Sequence, residues 1–389
     1  MHFFRRRVIA CALLLAGAGC TSLPPPTTAP LPLPSGCSTS RAAIFFDFEG
    51  APPSRCTIAD DGTFSVVIAP EHAPPINPSP WYALRFETIG DAPVTVRLQY
   101  FGAEHRYIPK LSDGAGTRTL PVEISDDRKT ASFTLPGSSQ GVVSAQPLLG
   151  LAYYSKQLSR LAAIEHATRL ELGKSHEGKA IEALHYGDKD APELIILLGR
   201  QHPPEVTGAY AFESFMEEVI ALLRNDLATA KRFQILAVPL LNPDGVVRGH
   251  WRANLGGVDL NRDWGKFTQP ETAAVKRWLD NLPPTTRPAV MIDFHSTQRN
   301  LFYVQGEEVN AAQRNFLSLW LEGKENRFAG FPFTIERRQA NPGSGTAKNW
   351  FHSTYSIPSY TYEVGDTTEI AATRLAAKAL ASDLIDVLK

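Results

Sequence analysis

Glu193-Leu194-Ile195-Ile196-Leu197-Leu198-Gly199 runs directly into Arg200-Gln201-His202-Pro203-Pro204-Glu205. An unbroken aliphatic stretch has no polar face, so it reads as a strand buried on both sides, the kind found in parallel sheets covered by helices. Short apolar runs at 233–239, 289–294 and 359–364 repeat the pattern. Stretches of helical period lie between and after them, at 208–223, 270–280, 309–326 and 369–388, and a helix-like stretch at 155–166 with a strand pair around 170–185 opens the region. Strand alternating with helix predicts an α/β domain over 151–389, built on a mixed, mainly parallel sheet with helices on both faces. Ligands of such sheets bind beyond the carboxyl ends of the strands, where His202 and Glu205 fall.

The upstream chain is organised differently. Between residues 41 and 149, short alternating runs at 63–68, 81–86, 94–100 and 131–135 are separated by Pro, Gly and Asp clusters. Period two puts one face on a core and the other in solvent, which predicts a small antiparallel β-sandwich domain over 37–150. No titratable cluster with ligand spacing occurs there, so a structural or substrate-restricting role is expected.

At the N-terminus, Arg5, Arg6 and Arg7 precede a mostly apolar stretch and the small residues Gly17, Ala18 and Gly19, with Cys20 next. This predicts an export signal over 1–19 and either a lipid on Cys20 or ordinary cleavage nearby. Six prolines within 23–36 predict an extended tether over 20–36. No other apolar run reaches the roughly 20 residues a bilayer span needs. Membrane contact is therefore expected only through Cys20, with the protein in the periplasm or anchored in a bacterial cell envelope. Cys37 and Cys56 remain as an even pair, expected to be joined in an oxidising compartment. A net charge of −1 over 389 residues argues against a nucleic-acid partner.

His202 precedes a proline, which drives it to extended backbone, and Pro204 is expected to open the following helix. Imidazole and carboxylate three positions apart on such a turn can meet on one cation, and zinc accepts both at about 2 Å. Alone, the pair would fit a hydrogen-bonded surface contact. Asp293-Phe294-His295-Ser296 brings a second histidine to the end of another buried strand. Alone, it would fit a capped strand end. Together, His202, Glu205 and His295 form a three-ligand set that leaves one coordination position for water.

With Asn242-Pro243-Asp244-Gly245, His250-Trp251-Arg252, Gly257-Val258-Asp259-Leu260-Asn261-Arg262-Asp263-Trp264 and Tyr362-Glu363-Val364-Gly365-Asp366 added in this order, residues 155–389 resemble the zinc carboxypeptidase family. The stretch Pro75-Ile76-Asn77-Pro78-Ser79-Pro80-Trp81-Tyr82 is similar to the cytosolic-carboxypeptidase-like branch and its bacterial relatives, in which a small β-sandwich precedes the enzyme. The resemblance implies an eight-stranded mixed sheet between helices, one zinc per catalytic domain, and hydrolysis of the C-terminal peptide bond by a zinc-activated water. It assigns Glu363 as general base and Arg252 as the group that polarises the scissile carbonyl. Asn261 and Arg262 take the free terminal carboxylate, and Asp259 orients the imidazole of His202.

An ungapped count back from Glu363 places Lys348 in the side-chain pocket, where an ammonium favours an acidic terminal residue; a solvent-facing lysine is the alternative. Asn341 stands where many relatives have a tyrosine. Asp263 replaces an asparagine and is expected to weaken the carboxylate clamp. Asp366 with Glu369 reads as a capping box for the last helix, and Asn242 to Gly245 as a turn shaping the cleft. The expected partners are peptides with a free C-terminal carboxylate. The same chemistry on peptidoglycan stem peptides, or an inactive zinc-bound module that only binds C-termini, are the other readings.

Overall fold

Alternation in the upstream half produces two facing sheets in the computed structural model, which describes residues 36–73, 77–306, 309–339 and 342–389. The expected export signal, Cys20, nearly all of the tether and Asn341 lie outside the described residues. One sheet has the order Gly36–Ser38, Ala42–Phe45, Ala83–Thr88, Gln140–Ser144, Lys110–Asp113, Gly116–Thr119. The other runs Arg55–Ile58, Phe64–Ile68, Val94–Tyr100, Thr130–Leu135, Glu123–Ile124. Along Val94–Tyr100, every second residue is buried against the opposite sheet. One pair departs from the antiparallel expectation: Phe64–Ile68 and Val94–Tyr100 run parallel. Between them the chain crosses to the other sheet as Ala83–Thr88, and a crossover returns it in the same direction. A disulfide joins Cys37 and Cys56, with Cα atoms 5.8 Å apart, and so links the edge strands of the two sheets.

The second half forms a mixed eight-stranded sheet among the described residues, in the order Ala167–Lys174, Ala180–Tyr186, Phe233–Val238, Glu193–Gly199, Arg287–Thr297, Ser359–Gly365, Leu301–Gln305, Thr334–Arg338. Its four central strands are parallel. Within Glu193–Gly199, Ile195 and Leu197 face one core with the helices Val206–Asn225 and Ile370–Leu388, while Leu194, Ile196 and Leu198 face another with Pro270–Asp280 and Ala347–Tyr355. This is the physical reason for the uninterrupted aliphatic run. No helix among the described residues is long and apolar enough to cross a membrane.

Some local expectations are corrected. The helix after the His202 turn begins at Val206, so Pro204 precedes it and Glu205 occupies the N-cap without using its side chain as a cap; that carboxylate is turned toward two histidines instead. Glu369 likewise makes no capping bond to the last helix, and Asp366 is drawn away by Arg106, whose Nε donates to its Oδ2 at 2.7 Å. Residues 242–245 open a short helix, Pro243–Arg248, with the Asn242 side chain accepting from Gly245 N at 2.9 Å. The helical stretch expected over 309–326 is confined to Ala311–Trp320.

Two packing features bear on the site. A Cβ on Gly208 would lie 2.4 Å from the carbonyl oxygen of His295, so only glycine lets the helix Val206–Asn225 seat this closely on the ligand-bearing strand. Gly208 N then donates to the Ser296 hydroxyl at 2.8 Å.

Candidate active site

The turn after Glu193–Gly199 delivers two site residues to the carboxyl edge of the sheet. Arg200 takes a left-handed φ of 50° there, and its guanidinium donates to the Pro203 carbonyl at 2.5 Å and the Tyr154 hydroxyl at 2.8 Å. His202 and Glu205 follow, and the neighbouring strand Arg287–Thr297 supplies His295. Nδ1 of His202 and Nδ1 of His295 lie 2.9 and 2.7 Å from the two oxygens of Glu205, and 3.1 Å from each other. All three residues are buried, with their ligand-type atoms within 4.8 Å of one another. Two imidazole nitrogens facing at such a distance require a proton or a cation between them, and with a carboxylate alongside, the set fits a divalent metal such as zinc.

Carboxylates stand behind both imidazoles. His202 Nε2 is 2.9 Å from Asp259 Oδ1, and His295 Nε2 is 2.7 Å from Asp293 Oδ2. Burial works against the Glu205 carboxylate, yet the His202 and His295 imidazoles hold its pKa well below the usual range. Asp259 is likewise held low against its burial, by His202 and by Arg252, whose Nε donates to Asp259 Oδ2 at 2.7 Å. Asp259 also caps the tight turn Leu260–Arg262, accepting from Asn261 N at 2.9 Å. Within that turn Asn261 Oδ1 accepts from Ala347 N at 2.8 Å, and Arg262 Nη1 donates to the Asn261 carbonyl at 2.6 Å.

Glu363 sits near the end of Ser359–Gly365, in register with His295 across a parallel pair. Its Oε2 is enclosed, with no hydrogen-bond partner among the described residues. Burial pushes this carboxyl up to about 7, against the pull of His295. A cavity of about 360 Å³ opens over these groups. Among the described residues lining it, five are cationic, Arg106, Arg252, Arg262, Arg338 and Lys348, against the two carboxylates of Glu205 and Glu363. Lys348 is buried, and its ammonium donates to the carbonyls of Val304 and Arg338 at 3.3 and 3.4 Å.

A family model described as zinc carboxypeptidase matches residues 157–382, more than half of the chain. The chain belongs to the zinc carboxypeptidase family. Cytosolic carboxypeptidase 2 of Danio rerio is 25% identical over 173 residues, covering 42% of this chain and 24% of that protein. The matched part spans between 24% and 48% of the length of the first curated relatives. Among solved structures, a metallo-carboxypeptidase from Burkholderia cenocepacia superposes with a TM-score of 0.73 at 15% identity, covering 90% of this chain and 98% of that one. Another, from Pseudomonas aeruginosa in complex with (2-guanidinoethylmercapto)succinic acid, gives 0.70 at 20% identity, covering 89% and 97%. Both likenesses bear on the zinc carboxypeptidase fold with its leading β domain.

The sequence motifs assign no role to some of the site residues. Asp293 lies two positions before His295, and residues two apart on a strand share a face; that spacing was a usable signal. Arg106, Ser79 and Asn77 reach the cavity from the β-rich half, with Arg106 Nη1 donating to Ser79 Oγ at 2.9 Å. No local pattern marks Arg106. Tyr303 also lines the cavity, whereas Tyr360 and Tyr362 are buried in the aromatic core. Asp263, expected to disturb the clamp, is absorbed by the loop beyond it, accepting from Thr268 N at 3.1 Å, Gln269 N at 3.0 Å and the Thr272 hydroxyl. Its charge is buried and fully engaged there.

Because Asp293 Oδ2 also accepts from Gln201 Nε2 at 2.7 Å, it holds the His295 ring from behind within a fixed network. Asp293→Asn is expected to weaken zinc binding by about 10- to 100-fold, measured by competition with a chromogenic chelator. Unchanged affinity would remove Asp293 from the centre.

Proposed function

We propose that this chain is a metallocarboxypeptidase that releases C-terminal residues from peptides, favouring acidic ones. One observation carries the reading: three ligand-type side chains converge in a cavity that also holds Glu363, and five cationic side chains stand among its neutral lining residues. His202, Glu205 and His295 would hold the zinc. Zinc, when bound, supplies a Lewis acid that makes water nucleophilic near neutral pH and polarises a carbonyl.

The remaining work falls to the chain. Glu363 accepts the proton of the attacking water and returns it to the leaving amine, a task suited to a carboxyl whose pKa lies close to neutrality. Arg252, fixed at Nε by Asp259, directs its guanidinium at the scissile carbonyl and meets the negative charge that develops there. Arg262 and Asn261, braced against each other and against Ala347, present donors to the terminal carboxylate. Lys348 and Arg338 set the sign of the pocket beyond. A carboxylate side chain entering it meets the buried Lys348 ammonium and the exposed Arg338 guanidinium with opposite charge, whereas an apolar one covers the ammonium without adding compensating charge.

The β-sandwich at 37–150 ahead of the catalytic domain at 151–389 is read as limiting access to the cleft, a view supported by Arg106, Ser79 and Asn77 on the cavity wall. Export and a lipid on Cys20 complete the reading and rest on the N-terminal sequence alone.

The test is mass-spectrometric profiling of a peptide library and isolated muropeptides with zinc-loaded protein. Single-residue trimming with C-terminal Glu or Asp released ahead of Leu and Lys is the expected result, and Lys348→Asp is expected to shift preference toward Lys and Arg. Trimming without acidic preference, or a preference untouched by Lys348→Asp, would remove the specificity claim. Cleavage confined to muropeptides would redirect the substrate to peptidoglycan stem peptides. Binding without cleavage would leave a recognition module.

A further inference from the structure

Arg252 sits in a loop that follows the left-handed Gly249 cap and has no regular secondary structure of its own. The loop is tied at its flanks, where His250 N donates to the Gly245 carbonyl at 2.9 Å and Asn254 N to the Val258 carbonyl at 2.9 Å. Between these points, three successive amides end on one carboxylate from the β-rich half. Glu71 Oε2 accepts from Trp251 N at 2.8 Å, and Oε1 accepts from Arg252 N at 2.9 Å and Ala253 N at 2.7 Å. Such a convergence of backbone N–H groups is an anion nest, filled here by the protein's own side chain. Each bond is charge-assisted, and each satisfies an amide that burial would otherwise leave unpaired.

The position of the nest matters more than its strength. Trp251 is fully buried in the core shared with the β-sandwich, and Ala253 is buried too. Between these two buried neighbours the Arg252 side chain lines the cavity and reaches Asp259, and Asp259 in turn meets His202. Rotation of the peptide planes at 251–253 would swing the guanidinium off its line to the cavity.

We propose that Glu71 is a positioning residue: by clamping the amides of 251–253, the β-sandwich sets the aim of Arg252 and so completes the carbonyl-polarising side of the catalytic centre. This rests on the reading of Arg252 given above. It also gives the upstream half a part in turnover that access control does not require.

The experiment is a double-mutant cycle on the full chain loaded with zinc, using Glu71→Ala, Arg252→Ala and the double variant, with amide hydrogen exchange as a readout independent of activity. Glu71→Gln, which keeps the shape and one acceptor oxygen, serves where Glu71→Ala does not fold. A misdirected catalytic group costs on the order of 100-fold, so Glu71→Ala is expected to lose about that factor in kcat with KM nearly unchanged, full zinc stoichiometry and faster exchange at 251–253. In the Arg252→Ala background, its further effect should stay within about threefold. Unchanged exchange at 251–253 overturns the proposal, as does a loss from Glu71→Ala that multiplies onto that of Arg252→Ala. If Arg252→Ala keeps wild-type turnover, the role given to Arg252 falls, while accelerated exchange still supports Glu71 as the brace of that loop.

Discussion

Glu363→Gln is expected to lower kcat by about 1,000-fold while leaving zinc stoichiometry and peptide binding intact. Parallel pairing of Arg287–Thr297 with Ser359–Gly365 sets Glu363 beside His295, so the carboxyl and a ligand-type imidazole project from one sheet face into one cavity. A one-residue slip of that register would send Glu363 into the core on the opposite face. Glutamine fills the same volume and can still donate a hydrogen bond, but it cannot take and return a proton at neutral pH. The loss should therefore be in the chemical step, seen as slower product formation in single-turnover assays with dissociation constants for a C-terminal peptide unchanged. Retention of a tenth or more of the wild-type rate would remove Glu363 from the proton path.

Removing the metal is expected to abolish turnover and lower the melting temperature, with both restored by stoichiometric zinc. Glu205 is 4% exposed, and its carboxylate faces two imidazoles that themselves meet at 3.1 Å. A cation that binds only the folded chain stabilises it through linkage, by about 2.7 kcal/mol at a free concentration 100 times Kd. For a body of this size, that corresponds to roughly 4 °C. Calorimetry before and after chelation, with metal content measured on the same samples, checks both effects. Full activity in protein verified to be metal-free would end the proposed chemistry.

Much of the fold was legible because its signals are local. The aliphatic run at 194–198 declared a strand covered on both faces, and alternation upstream declared a two-sheet arrangement. Helix starts were less legible. Pro204 and the pair Asp366 and Glu369 carry good local signals for helix entry, yet Glu205 and Asp366 were claimed by charges distant in the chain, and a long-range ion pair outbids a cap. The parallel pair in the sandwich was also hidden, since alternation shows which face of a strand is buried and not which way its neighbour runs.

The sequence by itself determined the identity of the ligand-type residues and their place at strand ends, because period, proline geometry and motif order are properties of short segments. Only the tertiary structure decided what surrounds them. Arg106 on the cavity wall and Glu71 beneath the Arg252 loop depend on how the two halves pack, and contacts between residues well over a hundred positions apart leave no trace in local spacing. A carboxylate or guanidinium acquires its role from the groups that meet it, and those meetings exist only once the chain has closed on itself.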